Sequence, residues 1–490
     1  MFLLIIYPIL VIIILFLWSQ FFSKNGRSSG NKISPMHYKT IPSPKGLVPI
    51  FGHLLQLKKN PHEKIKEWYE EHGNIFKIKF GSVDTIVLTE YPVIKEAFIE
   101  NGPAFVQRFV RRSRTDLNKG VNLANSNGEY WKNLKTILLT EMTNSKLKRL
   151  EHYIQQEAEG VSDYFASVAK SGEIQDPANY IKLYSMNVIL KFLFGIHYPY
   201  TVEGHSDHML ATIRRYFRST GQPFPGDFIP LLYPFTKDKP KEYFQDYATI
   251  REFVSEIAKT RLDTMDMTLE PNNILDSLLI QHKKVGDIPL YGVIATCIDL
   301  VLAGSDTTGN SLLFIIIALC NNPEIQETLY EELVATFGVD QQVSYSDKSK
   351  TPYLCAIIKE AYRRFPAAPL SVPHYLDRDV EFRGYLLPKG SQVFQNVYST
   401  HLSEKEWDRP MEFKPERFLE QQTSKPIIPF GLGSRSCVGM NLAENEIYIL
   451  AATLFRKYKF MRPTSEKLSE DGIFGLALQS PDFKIKVEQR

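Results

Sequence analysis

The sequence predicts a mainly α-helical protein with small β-sheets, one large domain behind an N-terminal transmembrane helix. Three observations predict it. From Glu129 onward most of the chain spaces its apolar residues at the helical period. Period-two alternation is confined to short segments near residues 75–88, 380–397 and the C-terminus. Residues Met1 to Trp18 carry no charged side chain and are mostly Leu, Ile, Val and Phe.

That first run is long enough to cross a bilayer, which takes about 18 or more apolar residues. Phe21 and Phe22 extend it, so residues 1–22 are the expected anchor, with Trp18 suited to an interface. Lys24, Arg27 and Lys32 follow, and the positive-inside rule then places the rest of the chain in the cytoplasm. A cleaved signal peptide is the competing reading. It wants a basic n-region, and no basic residue precedes Lys24. Residues 23–41 read as a polar, basic linker. The prolines of Ile41-Pro42-Ser43-Pro44 fix φ and make the next segment stiff and extended, and the large domain is expected over 42–490.

Ile75 to Phe80 and Thr85 to Leu88 alternate as two strands joined by a turn at Gly81-Ser82. Pro92 to Glu100 reads as a short helix. Asn101 to Asn127, rich in Gly, Asn and Arg, reads as loop. The helical region is interrupted near Ser171-Gly172, Pro199 to Gly204, Gly221 to Pro240 and Asp263 to Asn273. An apolar helix is expected over Leu290 to Cys320, ended by Asn321-Asn322-Pro323, with Asn322 capping the next helix. Strand signals return at Val380 to Phe382 and Gln392 to Val397, and a helix-like run covers Met440 to Tyr458.

Composition narrows the function. Hydrophobic residues make up 43% and charged residues 23% of the 490, an ordinary globular balance. A net charge of +3 is too near neutral to suggest nucleic acid. The four cysteines, at 297, 320, 355 and 437, are too far apart for a disulfide framework and fit a reducing compartment.

One of them sits in Phe430-Gly431-Leu432-Gly433-Ser434-Arg435-Ser436-Cys437-Val438-Gly439. Glycines let backbone N–H groups approach the sulfur, and the following helix aims its positive end at it. Arg435 supplies a fixed cation for an anionic cofactor edge. A cysteine with no cysteine or histidine nearby is wrong for zinc or an iron–sulfur cluster, which need about four protein ligands. It suits a haem iron, because the porphyrin supplies four bonds of its own. A lone cysteine is more often a small buried hydrophobe, and here the ten-residue context argues otherwise.

F-x-x-G-x-R-x-C-x-G resembles the haem-binding loop of the cytochrome P-450 superfamily. Three further elements follow the same family's order. Ala303-Gly304-Ser305-Asp306-Thr307-Thr308 resembles its oxygen-groove helix, Glu360-Ala361-Tyr362-Arg363 its E-x-x-R pair, and Pro415-Glu416-Arg417-Phe418 the segment that completes a triad through Arg417. The resemblance covers roughly Pro42 to Arg490. It implies the P-450 fold, haem b (iron protoporphyrin IX) with Cys437 as axial thiolate and metal ligand, and catalytic roles for Asp306 and Thr307 in delivering protons to bound oxygen. Taken alone, Thr307 reads as a threonine bonding back to the Ala303 carbonyl and bending the helix. The resemblance also implies propionate contacts from Trp131, residue 135, His374 and Arg435. Position 135 departs from the family's arginine: Lys135 offers a point charge without the bidentate fork.

The implied activity is a membrane-anchored haem-thiolate monooxygenase, single-pass, at the endoplasmic reticulum, with its catalytic domain cytosolic. Electrons are expected from NADPH through a separate flavoprotein reductase, and the substrate is expected to be a lipophilic small molecule, met by Phe109, Phe217, Phe224, Phe228, Leu300, Leu370, Phe474 and Leu476. The apolar stretch Phe224 to Phe235 reads equally as a segment dipping into the bilayer or as loop packing. Lys132, Lys135, Lys146, Lys148 and Arg149 read equally as a docking patch for an acidic electron donor or as a solvated face. A haem-thiolate isomerase or dehydratase and a non-enzymatic haem sensor are the alternative readings. Consumption of NADPH separates the first, and substrate-induced spectral shifts separate the second.

Overall fold

Apolar periodicity over many turns makes the long helices, and these carry most of the chain. The structure is a computed structural model that describes residues 38–57, 59–200, 205–221, 224–236, 241–338, 341–419 and 425–490. The expected anchor 1–22 and nearly all of the linker lie outside the described residues. Helices of more than ten residues are numbered here in chain order. They are α1 (Pro61–His72), α2 (Gly128–Glu141), α3 (Asn144–Ser171), α4 (Ala178–Phe194), α5 (His205–Gly221) and α6 (Lys241–Thr264), followed by α7 (Ile274–Lys284), α8 (Leu290–Asn321), α9 (Pro323–Phe337), α10 (Pro352–Arg364) and α11 (Met440–Lys457).

Helix α8 is the axis of the core. It is apolar around nearly its whole circumference, as a helix must be when neighbours cover every face. Its length and composition would suffice to cross a membrane, yet 78% of its most apolar window is buried inside the protein, which makes it a core helix. It packs most extensively against α4, with α6, α7, α10 and α11 around it. Gly304 permits the close approach to α4: a Cβ there would stand 2.7 Å from the Ile189 side chain. The expected interruption after Ser171 is Gly172, left-handed at φ 68°, closing α3.

The main sheet has the order β1 (Ile75–Phe80), β2 (Val83–Leu88), β6 (Gln392–Gln395), β3 (His374–Tyr375). β1 and β2 form the expected hairpin, with Ile78 opposite Thr85, and β6 runs parallel to β2. Two further hairpins pair β4 (Val380–Phe382) with β5 (Tyr385–Leu387) and β7 (Tyr458–Met461) with β8 (Lys486–Gln489).

Several local expectations change. Asn101 to Asn127 is not all loop: it holds the short helices Gly102–Phe105 and Arg112–Asn118. Each is too short to show a period, although Pro103 in the first turn of one is a helix-start signal. Residues 225–236 likewise form three short turns of helix. Val397 opens the helix Val397–Leu402 instead of ending a strand, because the Asn396 side chain accepts from Ser399 N at 3.3 Å. Asn322 holds the N-cap position of α9, but its amide donates back to Ala318 O at 2.8 Å, in the last turn of α8, and makes no N-cap bond.

Phe224 to Phe235 divides between its two readings. Phe228, Ile229 and Tyr233 are buried, with Phe228 5.5 Å from Phe80, while Leu231 and Phe235 are exposed, Phe235 to 77%. Ser82 N donates to Phe228 O at 2.8 Å, which docks this segment on the β1–β2 turn. Gly81 in that turn has φ 58°, and a Cβ on it would meet Phe228 O at 2.3 Å, so only glycine fits.

Candidate functional site

The cysteine loop folds as a glycine-bracketed turn ahead of α11. Gly431 and Gly433 take φ of 69° and 85°, and a Cβ on Gly433 would stand 2.3 Å from Phe98 O. Ser436 N donates to Gly433 O, and Cys437 N to Phe430 O, both at 3.0 Å. The Cys437 side chain is reachable from solvent-sized space but enclosed by protein. Burial pushes its thiol up, and the Gly439 N–H pulls it down by less. The backbone and helix end therefore do not make the thiolate by themselves; a coordinated cation would. All four cysteines are free.

Arg435 is held by oxygens of residues 106, 126 and 127. Its Nε donates to Val106 O at 3.0 Å, and its Nη2 to Ser126 O at 2.7 Å and Asn127 Oδ1 at 3.0 Å. Its guanidinium lies 3.6 Å from the ring centroid of Trp131, which is buried on α2. One turn on, Lys135 holds its Nζ 5.5 Å from the same ring and donates to Ser434 O. Four of the expected residues thus meet at the cysteine loop: Trp131, Lys135, Arg435 and Cys437.

Arg108 joins them, and sequence reasoning missed it. It sits among Arg111, Arg112 and Arg114 with nothing in its spacing to mark it. Its Nη1 donates to Val372 O at 2.5 Å and to His374 Nε2 at 2.7 Å, and its Nη2 donates to Arg435 O at 3.3 Å. Its Nε is buried with no hydrogen-bond partner. His374 Nδ1 faces Phe105 O at 2.6 Å, so that nitrogen carries the proton and Nε2 accepts from Arg108. Burial, and then Arg108, hold the His374 ring well below its ordinary range, and it is neutral. Both ring nitrogens are engaged, so His374 acts on any ligand through Arg108.

Burial pushes Arg108 and Arg435 each down to about 9, and Lys135 is lowered by burial and by Arg435. No carboxylate among the described residues forms a salt bridge with any of the three. Cations gathered in a desolvated site without counter-ions are costly unless a ligand brings the negative charge. The set can hold a buried group with two carboxylates beside the Cys437 sulfur.

On α8, Ala303 is exposed and Asp299, Gly304 and Thr307 are half-buried in a helix that is mostly buried, so the Asp299–Ala303–Thr307 face borders internal space. Thr307 Oγ1 donates to Ala303 O at 2.8 Å, as the spacing predicts. Ser305 and Ser311 bond back in the same way, to Val301 O and Thr307 O. Asp306 faces elsewhere. It is 2% exposed, with Lys182 Nζ of α4 3.0 Å from Oδ1 and Gln479 Nε2 3.2 Å from Oδ2. The structure therefore does not bring the two side chains to one face.

The E-x-x-R pair is fully buried on α10. Arg363 reaches both Glu360 oxygens at 2.7 Å and donates to His401 O and Glu412 O. Arg417 stands 3.4 Å from Glu360, completing the triad. In the basic cluster, Lys132 pairs with Glu129 and Lys146 with Glu141.

The family model described as "Cytochrome P450" matches residues 42–487. The chain is 46% identical to "Probable cytochrome P450 513D1" of Dictyostelium discoideum, over 92% of this chain and 94% of that one. It is 38% identical to "Probable cytochrome P450 513C1" over 92% and 94%, and 36% identical to "Probable cytochrome P450 513A1" over 99% of each chain, both of the same organism.

Proposed function

The chain belongs to the cytochrome P450 family and is a haem-thiolate monooxygenase, and from that premise we propose that it inserts one oxygen atom from O2 into a lipophilic small molecule with electrons passed from NADPH by a separate flavoprotein reductase. The observation that carries the reading is the set of Arg108, Arg435 and Lys135 around the Cys437 loop, three cations with no carboxylate salt bridge among the described residues. Haem b brings two propionates, and this donor set fits it. When bound, it would supply the iron at which dioxygen is activated, and the Cys437 sulfur would hold that iron.

The chain's own residues divide the remaining work. Arg108, Arg435 and Lys135 would neutralise the propionates, Trp131 supports the Arg435 guanidinium with its ring, and His374 fixes Arg108 by accepting from it. Thr307 spends its proton on Ala303 O, which leaves its oxygen free to accept from a donor in the internal space. Asp306, bound by Lys182 and Gln479, is the proposed proton carrier of the pair.

Residues 1–22 are the proposed single-pass anchor, 23–41 the linker and 42–490 the haem domain, cytosolic at the endoplasmic reticulum. Leu47, Val48 and Leu55 are exposed just after the linker, as are Leu231 and Phe235. Both segments flank one turn, since Gly81 N donates to Phe51 O and Ser82 N to Phe228 O. An apolar border of this kind suits a domain resting on lipid.

With reductase, NADPH and a substrate found by its spectral shift, the parent should couple NADPH use to product. Thr307→Ala should consume NADPH but divert it to hydrogen peroxide. Product formed without NADPH consumption would overturn the reading in favour of an isomerase.

A further inference from the structure

Residues 473–482 strap helix α5 to helix α8, and one buried side chain carries the link. Gly475 and Gly221 lie back to back: a Cβ on Gly221 would stand 2.2 Å from Gly475 Cα, and one on Gly475 2.6 Å from Phe217 O. That approach lets Leu476 N donate to Phe217 O at 3.0 Å, near the end of α5. Ile473 and Gln479 pair across the turn, with Ile473 N donating to Gln479 O at 2.8 Å and Gln479 N to Ile473 O at 3.0 Å. Ser480 N donates to Asn310 Oδ1 of α8 at 3.1 Å. Between these anchors Gln479 is 1% exposed.

The Gln479 amide can point one way only. Arg218 Nε of α5 donates to Gln479 Oε1 at 2.9 Å, and a guanidinium only donates, so the atom facing it is the oxygen. Nε2 therefore faces Asp306, 3.2 Å from Oδ2 and 3.4 Å from Oδ1. Lys182 Nζ, 3.0 Å from Oδ1, is the other donor to this carboxylate. Among the described residues, Gln479 alone donates to Oδ2. Arg218 in turn lies 3.5 Å from the exposed Asp482 carboxylate, which also accepts from Arg214 one turn earlier on α5. A line of contacts thus runs from the buried acid to the surface of α5.

We propose that Gln479 is a positioning residue for proton delivery: it fixes Asp306 through Oδ2, and Arg218 makes that hold depend on where α5 stands. The proposal rests on the reading of Asp306 as the proton carrier. A neutral amide suits the task. It gives Oδ2 a directional bond and adds no charge, so the opposite charge stays on Oδ1 with Lys182. A second cation at Oδ2 would oppose proton uptake by the carboxylate. A shift of α5 reaches Asp306 through Gln479 without moving α8.

The test uses the full-length holoprotein with saturating reductase and 1-dodecanol as a lipophilic probe, and follows NADPH oxidation in H2O and in D2O. Gln479→Leu should slow oxidation about tenfold, the worth of one hydrogen bond to a charged group, and raise the solvent isotope effect. Its carbon monoxide band should match the parent's. Arg218→Leu should act in the same direction, whereas Arg214→Leu, which loses Asp482 but no contact to Gln479, should match the parent. That pair carries the test on its own should Gln479→Leu not fold. In urea unfolding, the loss from Gln479→Leu should shrink when Asp306 is already Asn. A parent-like rate and isotope effect in Gln479→Leu would overturn the proposal, as would equal effects of Arg218→Leu and Arg214→Leu or additive losses in urea. Asp306→Asn separates the two failures. If it too matches the parent, the proton-carrier reading falls and the proposal with it; if it slows oxidation with a raised isotope effect and Gln479→Leu does not, only the proposal falls.

Discussion

Arg108 decides how the cofactor side of the site is read. Trp131, Lys135, Arg435 and Cys437 were legible because fixed spacing ties each to a motif. Arg108 was not, because its role depends on a long-range contact with β3, where His374 accepts from it. Arg108→Ala should weaken haem retention by about 1.5–3 kcal/mol, the worth of a hydrogen bond to a charged group, or roughly ten- to a hundred-fold. The apoprotein should lose less than the holoprotein, since removing a cation that opposes Arg435 offsets part of the cost of leaving Val372 O and His374 Nε2 unpaired. Haem transfer to a competing apoprotein and apoprotein melting measure the two, and retention equal to the parent's would contradict the role. Asp299 gives a pH prediction. Its folded carboxyl titrates at about 6, above the ordinary 3.8, because burial outweighs its bonds from Ala124 and Asn122. Folding therefore takes up a proton. Its stabilising contribution is full below about 4 and is lost as pH rises through about 6. Asp299→Asn should flatten stability against pH between those values, measured by denaturant unfolding; an unchanged slope would contradict the assignment.

Among the elements, those with a long period or a clean alternation were legible nearly to the residue. The α8 helix was expected to end at Cys320 and ends at Asn321, and β1 runs over Ile75–Phe80 as read. The misses are short helices such as Arg112–Asn118, where seven residues give no period and tertiary contacts fix the conformation. The α10 helix shows the limit of spacing in another way. Glu and Arg three apart suggest a pair, but only packing reveals that Glu360 and Arg363 are 0% exposed. Removing one partner strands a buried charge. Arg363→Met should therefore cost about 3–5 kcal/mol and sharply reduce the yield of folded holoprotein. Urea unfolding checks it, and a loss below about 1 kcal/mol, the worth of an exposed pair, would mean that the triad does not hold the fold.

For the whole molecule, the sequence predicted the reaction class because four motifs fall in the family's order along one chain. The surroundings of Asp299 were not legible, because Asn122 and Ala124, which donate to it, are far off in sequence and meet it only in the fold. Deleting residues 1–22 should release the protein from integral membrane association with its haem spectrum intact. Weak peripheral binding should remain through Leu47, Leu231 and Phe235. Sedimentation with carbonate-washed membranes checks this, and a truncated form that fails to fold would make the segment part of the core.

The central claim is that Cys437 holds a haem iron. The most direct test is the absorption of the reduced protein with carbon monoxide, for the parent and for Cys437→Ala. The parent should show the long-wavelength band of a thiolate-ligated haem, and the variant should lose it while keeping its helical circular dichroism. A variant that folds and keeps the band would contradict the account.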